Sequence, residues 1–445
     1  MLKPVVYPSP AAEALVRRIV ARSLGVSAKD HAAVSRILEQ VRRRGDEALV
    51  SYTRRFDAPG FKLRDLRVTD REKKKASASV ERQFIRALNR AAAQIEQFHR
   101  RQLRTGFIAT DRPGTVVGQL GRPVGRVGIY APGGRGGRTP LVSSVLMGAI
   151  PARVAGVSGI ALATPPRADG SVSPHLLAAA KTAGVDEIYK VGSAWAIAAL
   201  AFGTESIPNV DVVVGPGNLY VTLAKKIVAG TVGIDIIAGP SEILVVADES
   251  ADPEFVAADL LSQAEHDPLA SALLVTPSAG LAAAARKALV RQAAQLARAD
   301  IARESLRRYG AILLTQDLKT AIELANRIAP EHLELQVRDP FAHLAAVRHA
   351  GAVFLGAFTP EAVGDYMAGP NHVLPTAGTA RFASALSVDH FLKRTSILHY
   401  SAEALRREAE DIVRLAEVEG LGGHARSVRI RLSGQTGRAP SGKNV

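Results

Sequence analysis

The sequence predicts an α/β protein: two stacked Rossmann-like domains with parallel sheets, carrying helical arms at the N- and C-terminal ends. From residue 126 onward, short β-branched runs (RVGIYAP, GIALATPP, EIYKVG, VDVVVGPG, SEILVVAD, SALLVTP, AILLTQ, AVFLG) alternate with Ala-rich stretches. Strands alternating with helices of about 10–15 residues are the pattern of parallel βαβ units. The strands outnumber what one five- or six-stranded unit needs. A chain of 445 residues also exceeds the length at which a single core keeps growing.

Taken in order, residues 1–28 (AEALVRRIVARSL) read as an N-terminal helical arm. Residues 29–129 together with 241–386 read as a first, discontinuous α/β domain. It opens with HAAVSRILEQVRRRGDEALVSYTRRF and a stretch from about 70 to 104 whose apolar residues recur at helical spacing. Residues 130–240 read as the second α/β domain, with Gly239 and Pro240 as the crossover. After about 387 the strands cease, and DHFLKR and AEALRREAEDIVRLAEVEG over 387–432 read as a C-terminal helical arm. Helices without a sheet partner suggest docking onto another subunit. The Gly-, Ser- and Arg-rich residues 433–445 read as a disordered tail, and no solenoid repeat is present.

Hydrophobic residues at 47% and charged residues at 22% are the mixture of a globular protein. Zero cysteines exclude disulfides, thiolate metal sites, iron–sulfur clusters and cysteine nucleophiles, so a metal would need His, carboxylate or amide ligands. The N-terminal segment lacks an apolar signal core and no long apolar run follows, which predicts a cytoplasmic protein without a membrane span. The net charge of +15, from 57 Lys+Arg against 42 Asp+Glu, invites a nucleic-acid reading. Against that reading, the basic groups are short and scattered and aromatics total 5%. Solvated basic helix faces, with some attraction of anionic cofactors, account for the charge as well.

Two glycine-rich turns follow strands. DVVVGPGNLYVTLAKKI places a Gly-Pro-Gly-Asn turn before a helix whose N–H groups could cradle a phosphate, although Tyr220 stands where the third glycine of G-x-G-x-x-G belongs. YAPGGRGG offers Tyr130 for stacking on a base or ribose. Either turn serves equally well as a plain strand-to-helix connection.

In DPEFVAADLLSQAEHDP, Asp252 caps a helix with Pro253 at its first position. Gln263 and His266 share one face near its end; such a pair can hold a metal or simply be structural. AVGDYMAGPNHVLPT puts Asp365 and His372 in a Gly- and Pro-rich loop after a strand, and loops beyond strand carboxyl ends are where α/β enzymes keep their sites. In NRIAPEHLELQV, Glu331 and His332 set a carboxylate beside an imidazole, a pair suited to proton transfer. EVEGLGGHARSV flanks a glycine turn with Glu419 and His424 in the arm.

In this order GPGN, IDIIAGPSEILVVAD, DLLSQAEHDP, APEHLEL, GDYMAGPNHVLPT and EGLGGHARS resemble the motifs of histidinol dehydrogenases over about residues 120 to 430. The resemblance implies a Zn- and NAD-dependent, homodimeric enzyme of histidine biosynthesis with shared active sites, oxidising L-histidinol via L-histidinal to L-histidine. It implies zinc on Gln263, His266 and Asp365, with His424 from the partner subunit. It also implies His332 as general base, Glu331 as activator of water, His372 as an aid to proton transfer, and Ser241 and Glu419 as substrate contacts beside the metal ligands and His332.

For the cofactor it implies Tyr130, Asn218 and the position of Trp195 in the 130–240 domain. There the family usually carries a glutamine, whose hydrogen bonds an indole cannot reproduce. Arg135 and Arg138, in a loop longer than usual, could reach a phosphate or be solvated. Trp195 is the best argument for the alternative, a related Zn/NAD-dependent dehydrogenase of another amino or hydroxy alcohol. A basic binding protein that has lost catalysis has no need of so complete a ligand set.

Overall fold

The computed structural model describes residues 2–22, 26–104, 106–133 and 139–433. Arg135, Arg138 and the tail beyond Ser433 lie outside the described residues.

Two parallel sheets carry the larger unit, which comprises residues 1–103 and 124–391. The five-stranded sheet runs Glu187–Tyr189, Gly159–Ala163, Arg126–Tyr130, Val212–Val214, Gly233–Ile234. The six-stranded sheet runs Pro4–Val6, Ala311–Leu314, Ser271–Thr276, Glu242–Ala247, His332–Gln336, Ala352–Leu355. Apart from the added edge strand Pro4–Val6, both follow one winding: three strands are laid outward in one direction, then two in the other. The turning point falls between Arg126–Tyr130 and Val212–Val214 in one sheet, and between Glu242–Ala247 and His332–Gln336 in the other. Most of the central strands are buried along their length, as β-branched strands covered by helices on both faces must be.

The domain assignment needs correction. The strand Arg126–Tyr130 opens the five-stranded sheet, so 126–129 belong with 130–240. The helix Ala28–Phe56 packs Leu38, Val41 and Leu49 into the same core as Trp195, Ile197 and Leu200. The N-terminal stretch 29–103 therefore covers the five-stranded sheet rather than joining residues 241–386. Amphipathic spacing shows that a helix buries a face without showing against which sheet. The N-terminal arm, by contrast, joins the six-stranded sheet: Pro4–Val6 pairs with Ala311–Leu314, and Ala12, Val16 and Ile19 enter its core.

The smaller unit, residues 104–123 and 392–445, departs from the expected helical arm. Its strand Leu392–Tyr400 pairs antiparallel with Thr115–Pro123 along its whole length, and Phe107–Ala109 adds a third strand. Solvent reaches much of both faces of Leu392–Tyr400, so LKRTSILHY carries no apolar run to announce a strand. The helices Ala402–Val418 and Gly422–Ser433 follow, burying small residues such as Ala404, Ala416 and Ala425. Leu398, Leu415, Val418 and Ile430 stay outside, Val418 at 83% exposure. Among the described residues no helix is long and apolar enough to cross a membrane.

Candidate functional site

The neighbouring strands Glu242–Ala247 and His332–Gln336 align His332 with Ile243, which sets Glu331 beside Glu242 at their amino ends. The backbone amides of Glu242 and Glu331 each donate to the other's carboxylate, at 2.9 and 3.2 Å. A buried guanidinium, Arg22, pairs with Glu242 and donates to the Pro240 carbonyl at 3.1 Å. Burial, then the adjacent Glu242 carboxylate, hold Glu331 well above the usual carboxylate range.

His332 lies 2.9 Å from the Glu242 carbonyl through Nδ1. A carbonyl can only accept, so Nδ1 carries the proton and Nε2 presents a lone pair. Nε2 is 3.8 Å from the Glu361 carboxylate. Burial depresses the imidazole to about 4, which keeps the ring neutral.

Two helices return to this spot. Asp252 accepts from the Glu254 amide and starts Pro253–Ala264, at whose end Gln263 is fully buried. His266, in the turn beyond, is exposed. The helix Glu361–Tyr366 carries Glu361 and Asp365 one turn apart, on one face. Burial and the Asp365 charge push Glu361 to about 8. Burial alone would raise Asp365, but its hydrogen bond and charge interaction with His372 pull it lower; His372 Nδ1 is 3.5 Å from its carboxylate. A cavity of 120 Å³ opens on His332, Phe354, Val363, Asp365, Asn371 and His372.

With its NH2 turned toward Glu361, the Gln263 amide lies 3.0 and 3.2 Å from the two carboxylate oxygens and 3.1 Å from His332 Nδ1. Nδ1 is already a donor to Glu242, so the NH2 serves Glu361. His332, Glu361 and Asp365 each bring a ligand atom within 4.8 Å of the others. Converging imidazole nitrogen and carboxylate oxygen donors, with the Gln263 amide beside them, fit a divalent cation such as zinc.

The structure thus brings Gln263, Asp365, Glu331, His332 and His372 together, with His266 near enough for its charge to act on His332 and Asp365. Ser241, one residue ahead of Glu242, is half-buried. Glu419 and His424 belong to the smaller unit, where both are exposed.

Two differences from the sequence reading stand out. Asp365 is helical rather than in a loop, and the cluster sits at the amino ends of the strands, not beyond their carboxyl ends. Both helices run antiparallel to the strands they follow, so their final residues are carried back to the strand starts. Glu361, Glu242 and Arg22 escaped sequence reasoning. Glu361 stands at helical spacing from Asp365, and Glu242 opens an otherwise apolar strand, which were the available signals.

The turning point of the five-stranded sheet puts the carboxyl ends of Arg126–Tyr130 and Val212–Val214 side by side, the position at which open α/β sheets bind ligands. Tyr130 ends one strand; its hydroxyl accepts from the Ser193 amide at 3.1 Å, and burial pushes the phenol up to about 12. The Gly-Pro-Gly-Asn turn ends the other. Asn218 caps the next helix, its Oδ1 accepting from Tyr220 and Val221 at 3.1 Å each, while its NH2 is left over. The position thus suits a dinucleotide, phosphates at the turn. Trp195 is 4% exposed and stacks on Tyr52 and Phe56, each 5.6 Å away. Its indole is therefore part of the core.

A family model described as histidinol dehydrogenase matches residues 21–432. The chain is 52% identical over 432 residues to the histidinol dehydrogenase of Desulfotalea psychrophila, covering 97% of this chain and all of that relative. It is 56% identical over 400 residues to that of Oleidesulfovibrio alaskensis, covering 90% and 92%. Among solved structures, histidinol dehydrogenase from Elizabethkingia anophelis superposes with a TM-score of 0.91 at 36% identity, covering 97% of this chain and 98% of that one.

Proposed function

Because the chain belongs to the histidinol dehydrogenase family, an oxidoreductase family of histidine biosynthesis, we propose that it oxidises L-histidinol via L-histidinal to L-histidine. The reaction uses two NAD per turnover and one zinc ion per subunit. The observation that carries this reading is the convergence of Gln263, His332, Glu361 and Asp365 beside the buried Glu331.

Bound zinc supplies a Lewis acid for the substrate's imidazole and amine, and bound NAD an acceptor for hydride. Gln263, His266 and Asp365 would hold the metal, with His424 from a second copy of the chain completing the set. Glu361 would orient the Gln263 amide by accepting from its NH2. His332 takes the alcohol proton on Nε2, because its Nδ1–H is fixed to the Glu242 carbonyl. Glu331 takes the proton of the water that adds to the aldehyde, a role suited to a carboxyl held high by burial. His372, against Asp365, aids proton transfer, and Ser241 and Glu419 hydrogen-bond the substrate.

Tyr130 and Asn218 line the cofactor site. Trp195 acts on it by setting where its helix begins. The exposed Leu415, Val418 and Ile430 of the arm supply an apolar face for homodimerisation, which brings Glu419 and His424 to the neighbouring site.

Near-ultraviolet absorbance with histidinol and NAD tests the reading. Two NADH per histidinol are expected, abolished by a chelator and restored by zinc. One NADH per histidinol, or turnover indifferent to chelation, would overturn it.

A further inference from the structure

Lys225 and Asp235 form an ion pair inside the five-stranded domain, their side chains 3% and 0% exposed. Both also hold the same residue. Lys225 Nζ donates to the Gly215 carbonyl at 2.9 Å, and the Gly215 amide donates to Asp235 Oδ2 at 2.7 Å. We propose that Lys225 and Asp235 are positioning residues for the dinucleotide, locking the Gly-Pro-Gly-Asn turn into its binding shape before the cofactor arrives. The proposal rests on the reading that this turning point takes NAD.

Gly215 needs such a lock. It adopts φ +115°, and a Cβ there would lie 2.1 Å from the Tyr130 carbonyl oxygen. No other residue fits, yet glycine is the residue with most conformational freedom to lose. A turn left to order itself on binding would subtract that loss from the affinity. Fixing both peptide groups beforehand removes the loss.

Two alternatives fail on the same geometry. Lys225 is no phosphate ligand, because its ammonium is buried and neutralised by Asp235. A purely structural pair is not required either, since apolar residues of similar volume usually hold a core as well or better. What apolar residues cannot do is bind the N–H and the C=O of Gly215.

The test measures NAD affinity by fluorescence of Trp195, the single tryptophan of the chain, for wild type, Lys225→Met, Asp235→Asn and the conservative Lys225→Arg. Zinc content and histidinol KM are followed in parallel. Lys225→Met and Asp235→Asn are expected to weaken NAD binding roughly tenfold or more, with metal content and histidinol KM unchanged and Lys225→Arg recovering part of the loss. A folded Lys225→Met variant that binds NAD as wild type does would overturn the proposal.

Should the variants fail to fold, hydrogen exchange on wild type decides. The Gly215 amide is expected to be protected without NAD; protection that develops only on adding NAD would refute a preformed turn. If wild type itself binds no NAD, the cofactor assignment falls and the proposal with it.

Discussion

Glu242 and Glu331 face each other across two parallel strands and trade hydrogen bonds, each backbone amide donating to the other's carboxylate. Two acids this close and this buried need a cation, and Arg22 provides it from the N-terminal arm. Removing one partner of a buried pair leaves an uncompensated charge, at a cost of about 3–5 kcal/mol. Arg22→Met is expected to lose about that much in urea unfolding. Adding Glu242→Gln should restore most of it, and a double variant no more stable than the single one would contradict the pairing.

Metal binding and proton transfer should separate by mutation. Gln263→Ala removes the amide oxygen proposed as a ligand, and the purified variant is expected to lose most of its zinc by elemental analysis. His332→Ala leaves Gln263, His266 and Asp365 in place; it should keep its zinc while kcat falls by about 10²–10⁴, the usual contribution of a general base. Zinc loss in His332→Ala as complete as in Gln263→Ala would make His332 a ligand instead.

Gly45 divides the helix Ala28–Phe56 at φ +50°, non-helical backbone. The Glu205 carboxylate fills the space beside it, 2.1 Å from where a Cβ would stand, and accepts from the Asp46 amide at 2.8 Å. Gly45→Ala thus strains the backbone and displaces the group that caps the second half of the helix. A loss of about 1–3 kcal/mol is expected from thermal unfolding. In Glu205→Ala the cap is already gone, so the two losses should not add.

How much of this was legible follows from what each signal encodes. The buried strands showed themselves as apolar runs, because both their faces are covered. Leu392–Tyr400, with solvent on both faces, had no such signature. The motifs marked Gln263, Asp365, Glu331 and His332, yet spacing along a helix does not say at which end of a sheet the helix delivers its last residue. Arg22 lies more than 200 residues from Glu242, and no local pattern links a lone arginine to a distant acid. In the sequence Trp195 marks a change in the cofactor's surroundings; the structure makes it one ring of an aromatic stack, which a substitution pattern alone does not reveal.

Asp57 makes stability depend on pH. Burial raises its carboxyl to about 6, and one of its oxygens is buried without a partner. A carboxyl raised in the folded state favours folding while protonated, and that contribution is lost as pH rises from its ordinary value of 3.8 through about 6. Asp57→Asn should therefore raise Tm by roughly 1–3 °C at pH values well above 6. The gain should vanish toward pH 4, and a gain equal at both ends would show that the charge is not its source.

Subunit sharing makes a quantitative prediction of its own. If each site takes His332 from one chain and His424 from another, neither His332→Ala nor His424→Ala homodimers contain an intact site. A mixed dimer contains one: the body of the His424→Ala chain keeps His332, and the arm of the His332→Ala chain supplies His424. The other site of that dimer lacks both. Random reassortment makes half the dimers mixed, so co-refolding equal amounts of the two inactive variants should recover about a quarter of wild-type turnover. A site completed within one chain predicts no recovery at any mixing ratio, because every chain would then lack one of the two imidazoles.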